Sequence, residues 1–239
     1  ARIAEHVAAS GAALAASSWT DGSSSTARAR LRPDGSAEYL FDIDWTIPEP
    51  ALDGVTLVHS GSIALFLEPG GRTVLDTVQR AAGSALVTLD PNIRPALVGD
   101  RRAATARFAR AAASADLVKL SDEDAAWLYP GLVAEQVLAE VATCGPRVVV
   151  MTRGAEGAVA LGPSGILEVP AVSVEVVDTI GAGDAYMASL ISSALDDPQL
   201  FGSEPALRRA LRRAAITAAI TVSRAGANPP TRREVDAAF

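Results

Sequence analysis

The stretch VEVVDTIGAGDAYMASL, residues 174–190, changes character in its middle. Its opening residues, VEVV, carry the β-branched side chains of extended chain. From DAYMASL onward the pattern turns helical, with Met187, Leu190, Ile191, Ala194 and Leu195 at i, i+3, i+4, i+7 and i+8, one apolar stripe. Between the two halves lies Gly181-Ala182-Gly183, bracketed by the carboxylates Asp178 and Asp184. Glycine permits tight turns and close approach of a ligand to the backbone. The first N–H groups of a helix have no intrahelical partner and sit at the positive end of its dipole. A phosphoryl group fits such a place. Asp184, in the first turn, can accept the proton of a hydroxyl as it attacks phosphorus. Taken alone, Asp184 reads equally well as an acid complementing the dipole, with glycines that merely turn the chain.

Working outward, short apolar runs alternate with helical patterns from residue 55. GVTLVHSGSIAL precedes a helix ending near Gly83. ALVTLD precedes a helix through RRAATARFARAAA, and DLVKLS precedes one near Asp122 to Tyr129. A further helix, Ala134 to Thr143, leads to RVVVMTRG, GAVALG and ILEVPA. This alternation predicts an α/β fold with a mainly parallel central sheet and helices on both faces. The last two runs form an antiparallel addition to it. Upstream, Ile3 to Ala9 is helical and stops near Gly11, and two extended runs in residues 25–44 flank PDGS, a hairpin signal. ALRRALRRAAITAAITVSRAG turns Leu207, Ala210, Leu211 and Ala214 inward and Arg208, Arg209, Arg212 and Arg213 outward. No repeat or linker divides the chain.

With 239 residues the chain can bury one good core. Its net charge of −7 argues against nucleic acid and anionic membranes as partners. Backbone N–H groups still allow a small anionic ligand. One cysteine, Cys144, rules out an intrachain disulfide and points to a reducing, cytoplasmic compartment. No run approaches the roughly 20 apolar residues of a membrane span. The chain opens without Met inside a helical pattern, so further sequence upstream is expected.

DTIGAGD, residues 178–184, resembles in full the second signature of the ribokinase/PfkB family of carbohydrate kinases, Asp-Thr-x-Gly-Ala-Gly-Asp. Other stretches follow in the family's order. The resemblance implies a ribokinase-like three-layer sandwich, one domain over residues 1–239, with the 25–44 hairpin as part of a β lid. That lid would cover a sugar and could also form a homodimer contact. The family's first strand and first signature would fall before residue 1. Asp184 would be the base, and the amides of Gly181, Ala182 and Gly183 would stabilise the transferring phosphoryl group. DPNIRPAL, from Asp90, resembles the family's Asp-x-Asn-x-Arg segment, which implies that Asn92 meets the sugar and Arg94 the phosphoryl oxygens. KLSDED, residues 119–124, resembles the Asn-x-x-Glu segment, with Ser121 and Asp124 in place of Asn and Glu. There Ser121 would lie by the nucleotide and Asp124 would hold magnesium through water. Read from the residues alone, Ser121 is an N-cap and the acids complement a helix dipole. MTRGAEGA resembles the nucleotide stretch Thr-x-Gly-x-x-Gly, placing Thr152, Gly154 and Gly157 along ATP; by itself it is a hairpin turn. SRAGANPP resembles the loop that, with Asp178, holds a monovalent cation, implying potassium near Ser223, Ala225 and Gly226.

Other chemistries find no support. Lys119 is the only lysine and lies in no Gly-Lys-Ser/Thr loop, which excludes a Walker A site. His6 and His59 lack the partners of a zinc site. His59 reads as a buried, satisfied histidine or as a residue facing the sugar. The implied activity is ATP-dependent transfer to a sugar hydroxyl, best a ketohexose such as fructose. Ribose, 2-keto-3-deoxygluconate and nucleosides stay open as acceptors, as does a kinase fold that binds sugar or nucleotide without turnover.

Overall fold

The computed structural model describes residues 2–15, 18–19, 24–31 and 37–239. Helix α1 (Arg2–Ala9) precedes an antiparallel pair, β1 (Thr26–Leu31) and β2 (Ala37–Asp42), in register from Thr26↔Asp42 to Leu31↔Ala37. The expected PDGS turn, residues 33–36, lies outside the described residues. At the open end of this hairpin Ser25 Oγ donates to the Asp44 carbonyl at 3.2 Å. The chain is then pinned by Trp45, whose Nε1 donates to the Ala64 carbonyl at 2.9 Å and whose own carbonyl accepts from Gly70 N at 2.8 Å. A side chain at Gly70 would sit 2.6 Å from Trp45, so glycine is required for this seat.

The alternating runs become β3 (Leu57–Gly61), α2 (Gly70–Ala81), β4 (Leu86–Asp90), α3 (Pro95–Val98), α4 (Arg101–Ala112) and β5 (Leu117–Ser121). They continue as α5 (Asp122–Leu128), α6 (Ala134–Cys144), β6 (Val148–Thr152), β7 (Ala158–Gly162) and β8 (Gly165–Val169). These six strands form one sheet in the order β3-β4-β5-β6-β7-β8. β3 to β6 run parallel, and β7 and β8 are added antiparallel, as the sequence pattern predicts. Three helices close the chain: α7 (Ala182–Asp196), α8 (Glu204–Val222) and α9 (Arg232–Ala238).

Period-two alternation sorts the strand residues onto two faces. Val87, Leu89, Val118, Leu120, Val149 and Met151 pack with Val78, Phe108, Leu138 and Val141 of the helices on one side. Leu117, Val148, Val150, Ala158 and Ala160 pack with Met187, Leu190, Leu207 and Leu211 of α7 and α8 on the other. The outward arginines of α8 make ion pairs, Arg208 with Glu204 at 2.7 Å, Arg209 with Asp197 at 3.0 Å and Arg213 with Asp236 at 2.7 Å.

One expectation, the α7 stripe, needs correction, and VEVV has no partner strand among the described residues. It joins no sheet: residues 170–177 run as irregular chain with Val176 and Val177 exposed. The segment is held instead by the N–H groups of Val177 and Asp178, which donate to the Val222 carbonyl at 2.8 and 3.1 Å. That carbonyl ends α8, where the last C=O groups lack helical donors. The α7 stripe narrows at its end, because Leu195 is 49% exposed while Ala194 is fully buried.

Phe108 is fully enclosed in the first core. Phe108→Ala is therefore expected to lower unfolding free energy by about 3–5 kcal/mol, the usual cost of an emptied aromatic site, in urea titrations. A loss below about 1 kcal/mol would mean that α4 is not clamped by this core.

Candidate active site

In open parallel sheets, ligands bind beyond the carboxyl ends of the strands. At that end α7 starts. Its N-cap, Gly181, has φ +80°, ψ 0°, a left-handed backbone that a side chain would strain. Of the first amides, Ala182 N turns back to the Thr179 carbonyl at 3.3 Å, and Ala185 N makes the first regular bond, to the Gly181 carbonyl at 2.9 Å. Among the described residues no backbone acceptor takes the N–H of Gly183 or Asp184. Gly181 N likewise meets no acceptor among the described residues, so of the expected set 181–183 only Ala182 is engaged, and the amide of Asp184 joins the free ones. The Asp184 carboxylate beside them is exposed and takes part in no hydrogen bond or ion pair among the described residues.

A polar row lies on the sheet face beneath α7. Register places His59 beside Thr88 and Gly61 beside Asp90. His59 Nδ1 and Thr88 Oγ1 are 3.0 Å apart. Asp90 and Lys119, each 4% exposed, form an ion pair of 2.8 Å between Oδ2 and Nζ. Burial pushes the Asp90 carboxyl up to about 6, and Lys119 opposes that rise while the charges of Asp124 and Asp184 add to it. Asp184 also acts on His59, whose crowded ring has a lowered pKa, chiefly from desolvation. These couplings bring Asp184 electrostatically to the ends of β3 and β4. The glycine at 183 has a further reason here: a Cβ on it would lie 3.1 Å from Lys119 Nζ.

The remaining expected residues lie at strand ends, in loops and at a helix start. Asn92 adopts φ +39°, a conformation asparagine tolerates better than most side chains, and its Oδ1 accepts from exposed Arg94 at 2.7 Å. Arg94 also donates to the Ile93 carbonyl at 3.0 Å. Ser121 caps α5, accepting from Asp124 N at 3.0 Å, and Asp124 answers by accepting from Ser121 N at 3.0 Å. The other Asp124 oxygen accepts from Ile93 N at 2.6 Å. Thr152, at the end of β6, is in register with Ser121. The turn after it is closed by Arg153 N to the Gly157 carbonyl at 2.8 Å, with Gly154 at φ +51° and Gly157 at φ +89°. A side chain at 157 would strike the Val169 carbonyl at 2.2 Å. Asp178 joins the turn before α7 to the loop after α8: its oxygens accept from Ile180 N and Gly226 N, each at 3.0 Å. Those two bonds, Ile180 first, hold its carboxyl below the usual range. Ser223 Oγ is turned to the Ile220 carbonyl at 2.8 Å.

These placements bear differently on bound groups. Free amides and a buried ammonium at the α7 mouth suit the phosphates of a nucleotide. Asp124 is 4% exposed and each of its oxygens holds one backbone amide, so what it offers magnesium is contact through water rather than direct coordination. Its work is to fasten the 90–94 loop to α5. Asp178 keeps capacity for a cation, since a carboxylate offers about four lone-pair sites and two are taken. Sequence reasoning passed over Lys119 and Asp90 as a pair. The signal was a lone lysine in the apolar strand LVKLS at a position whose alternation points inward.

A family model described as pfkB family carbohydrate kinase matches residues 33–233. A fructokinase of Rhizobium leguminosarum bv. trifolii is 39% identical over 141 residues, covering 59% of this chain and 43% of the relative. Fructokinase-2 of Oryza sativa subsp. japonica is 33% identical over 211 residues, covering 83% and 62%. The chain thus spans between about two fifths and two thirds of the length of these relatives. A fructokinase of Xylella fastidiosa, solved with bound ATP, shares the fold at a TM-score of 0.80 and 21% identity, over 95% of this chain and 76% of that one. A fructokinase of Vibrio cholerae O395, solved with fructose, ADP and calcium ion, has a TM-score of 0.74 at 24% identity, over 89% and 72%. From the signature at 178–184 to the strand order and the family match, this chain belongs to the pfkB family of carbohydrate kinases.

Proposed function

We propose that this chain carries out ATP-dependent phosphorylation of a sugar hydroxyl, with a ketohexose such as fructose as acceptor. The observation that carries the reading is the exposed Asp184 carboxylate, unpaired among the described residues, beside the free amides that open α7. The fructokinase relatives support the choice of acceptor. Within this reading ATP supplies the phosphoryl group and leaves as ADP. The acceptor hydroxyl loses its proton to an Asp184 oxygen as its own oxygen bonds to phosphorus. The amides of Gly183 and Asp184 face the oxygens of the group in transit, where fixed dipoles act strongly because they need no reorganisation. Asn92 and Arg94, locked together, border the acceptor side. Thr152, Gly154 and Gly157 border the nucleotide side, next to Ser121. The β1–β2 hairpin serves as the lid that excludes water. It also offers a contact for a second copy. Magnesium would be held by the nucleotide phosphates and would neutralise their charge, with Asp124 reaching it through water. Potassium is proposed between Asp178 and the loop carrying Ser223 and Gly226, bracing the α7 mouth from behind.

A second reading, binding without turnover, draws on the enclosed Asp124. A coupled assay for ADP release across fructose, ribose, 2-keto-3-deoxygluconate and nucleosides separates the two. Sugar-dependent ADP release supports the kinase, and binding without release supports the alternative. Among the described residues, no helix is long and apolar enough to cross a membrane.

Asp184→Asn is expected to keep the wild-type melting temperature and to lower kcat by about 10²–10⁴, the range for a lost general base. Turnover close to wild type would remove Asp184 from that role. Replacing K⁺ by Na⁺ at equal ionic strength is expected to slow the reaction, read as initial rates. Equal rates in the two salts would argue against a cation at Asp178.

A further inference from the structure

The Lys119–Asp90 pair costs the fold more than it explains. Taking two charges out of water carries a penalty of several kcal/mol per ion, and an apolar pair of similar volume often serves stability better. The pair sits on a face otherwise built from Leu117, Val148, Val150 and Met187. Yet its hydrogen bonding is incomplete. An ammonium has three donors. Lys119 has one recorded acceptor among the described residues, Asp90 Oδ2 at 2.8 Å. Asp90 Oδ1 is buried with no donor among the described residues. A pair serving the core alone would leave neither group short.

The position of the ammonium supplies the reason. Nζ lies 3.1 Å from where a Gly183 side chain would begin, directly against the turn whose amides stay free. The charge therefore reaches the same spot as the N–H of Gly183, from the sheet side. A compact ammonium fits beneath a glycine where a guanidinium fork has no room. This is also the only lysine among the chain's 21 Lys and Arg residues.

We propose that Lys119 contacts the terminal phosphoryl group of a nucleoside triphosphate from beneath the α7 mouth, and that Asp90 is the positioning residue that holds its ammonium there. The inference rests on the kinase reading above and adds a contact to it. Lys119 matches the charge of the phosphoryl oxygens while Asp184, on the outer side, handles the proton. Asp90 keeps the ammonium aimed in the absence of ligand.

The single lysine makes a direct test possible. The intact protein, labelled with [¹³C]lysine, gives one Lys side-chain Cε signal in NMR spectra. A non-hydrolysable ATP analogue is expected to move that signal, and ADP to move it markedly less. Calorimetry on the same sample establishes nucleotide binding. Binding without movement, or equal movement by ADP and the analogue, overturns this inference and leaves the nucleotide site standing. Absence of any nucleotide binding overturns both. A second test removes the pair. Lys119→Met alone strands a buried carboxylate and can unfold the protein. The double variant Lys119→Met, Asp90→Asn is neutral and expected to fold. Its kcat is expected to stay about 10²-fold low with the sugar KM within about threefold, the pattern of a contact made to the group in transit. Recovery of kcat to near wild type in the double variant would make the pair a structural feature alone.

Discussion

The amides that open α7 must stay free, and most of the site follows from that requirement. A helix start buried without partners is costly, because an unpaired polar group away from water loses the hydrogen bonds it had. Here the start is kept at the open, carboxyl end of the sheet. Gly181 makes the left-handed turn that aims the helix, and Asp178 ties the approach to the loop after α8 through Gly226. The same tie uses the Val222 carbonyl, so the end of one helix anchors the beginning of another.

Beneath the mouth, two apolar faces enclose the sheet, and this contrast gives the polar row its meaning. Along β4 and β5, alternation sends Val87, Leu89, Val118 and Leu120 into one core and Thr88, Asp90, Leu117 and Lys119 toward α7. Charged groups at such positions interact more strongly than in water, since little solvent screens them. Asp184 is felt by both Asp90 and His59 for that reason. Asp124, one helix away, is equally buried but serves geometry: its bond to Ile93 N sets the 90–94 loop that presents Asn92 and Arg94.

Much of this was legible in the residues. The strand and helix pattern from residue 55 predicted the parallel sheet, and the two antiparallel strands after β6 followed from GAVALG and ILEVPA. The signature at 178–184 located the α7 mouth. VEVV shows what such a pattern leaves open, because β-branched residues mark extended chain whether or not a partner strand is available, and here the partner is a helix end. Ser121 and Asp124 show a different limit. Their spacing reads as a capping box or as a metal contact, and only the position of Ile93 N decided which bonds the carboxylate makes.

The amino-acid order by itself determined the local pieces: which runs extend, where helices begin, where glycine must turn the chain, and which acid stands in the first turn of α7. These depend on neighbours in sequence and on short-range sterics. The tertiary structure alone decided that Lys119 meets Asp90 across two strands, that its ammonium lies under Gly183, that Trp45 seats on Gly70, and that Asp178 closes onto Gly226. Such pairs join residues 25 to 64 positions apart, and no periodicity encodes which strand will lie beside which. Sheet order and the packing of α7 across it set those distances, and with them the charge at the site.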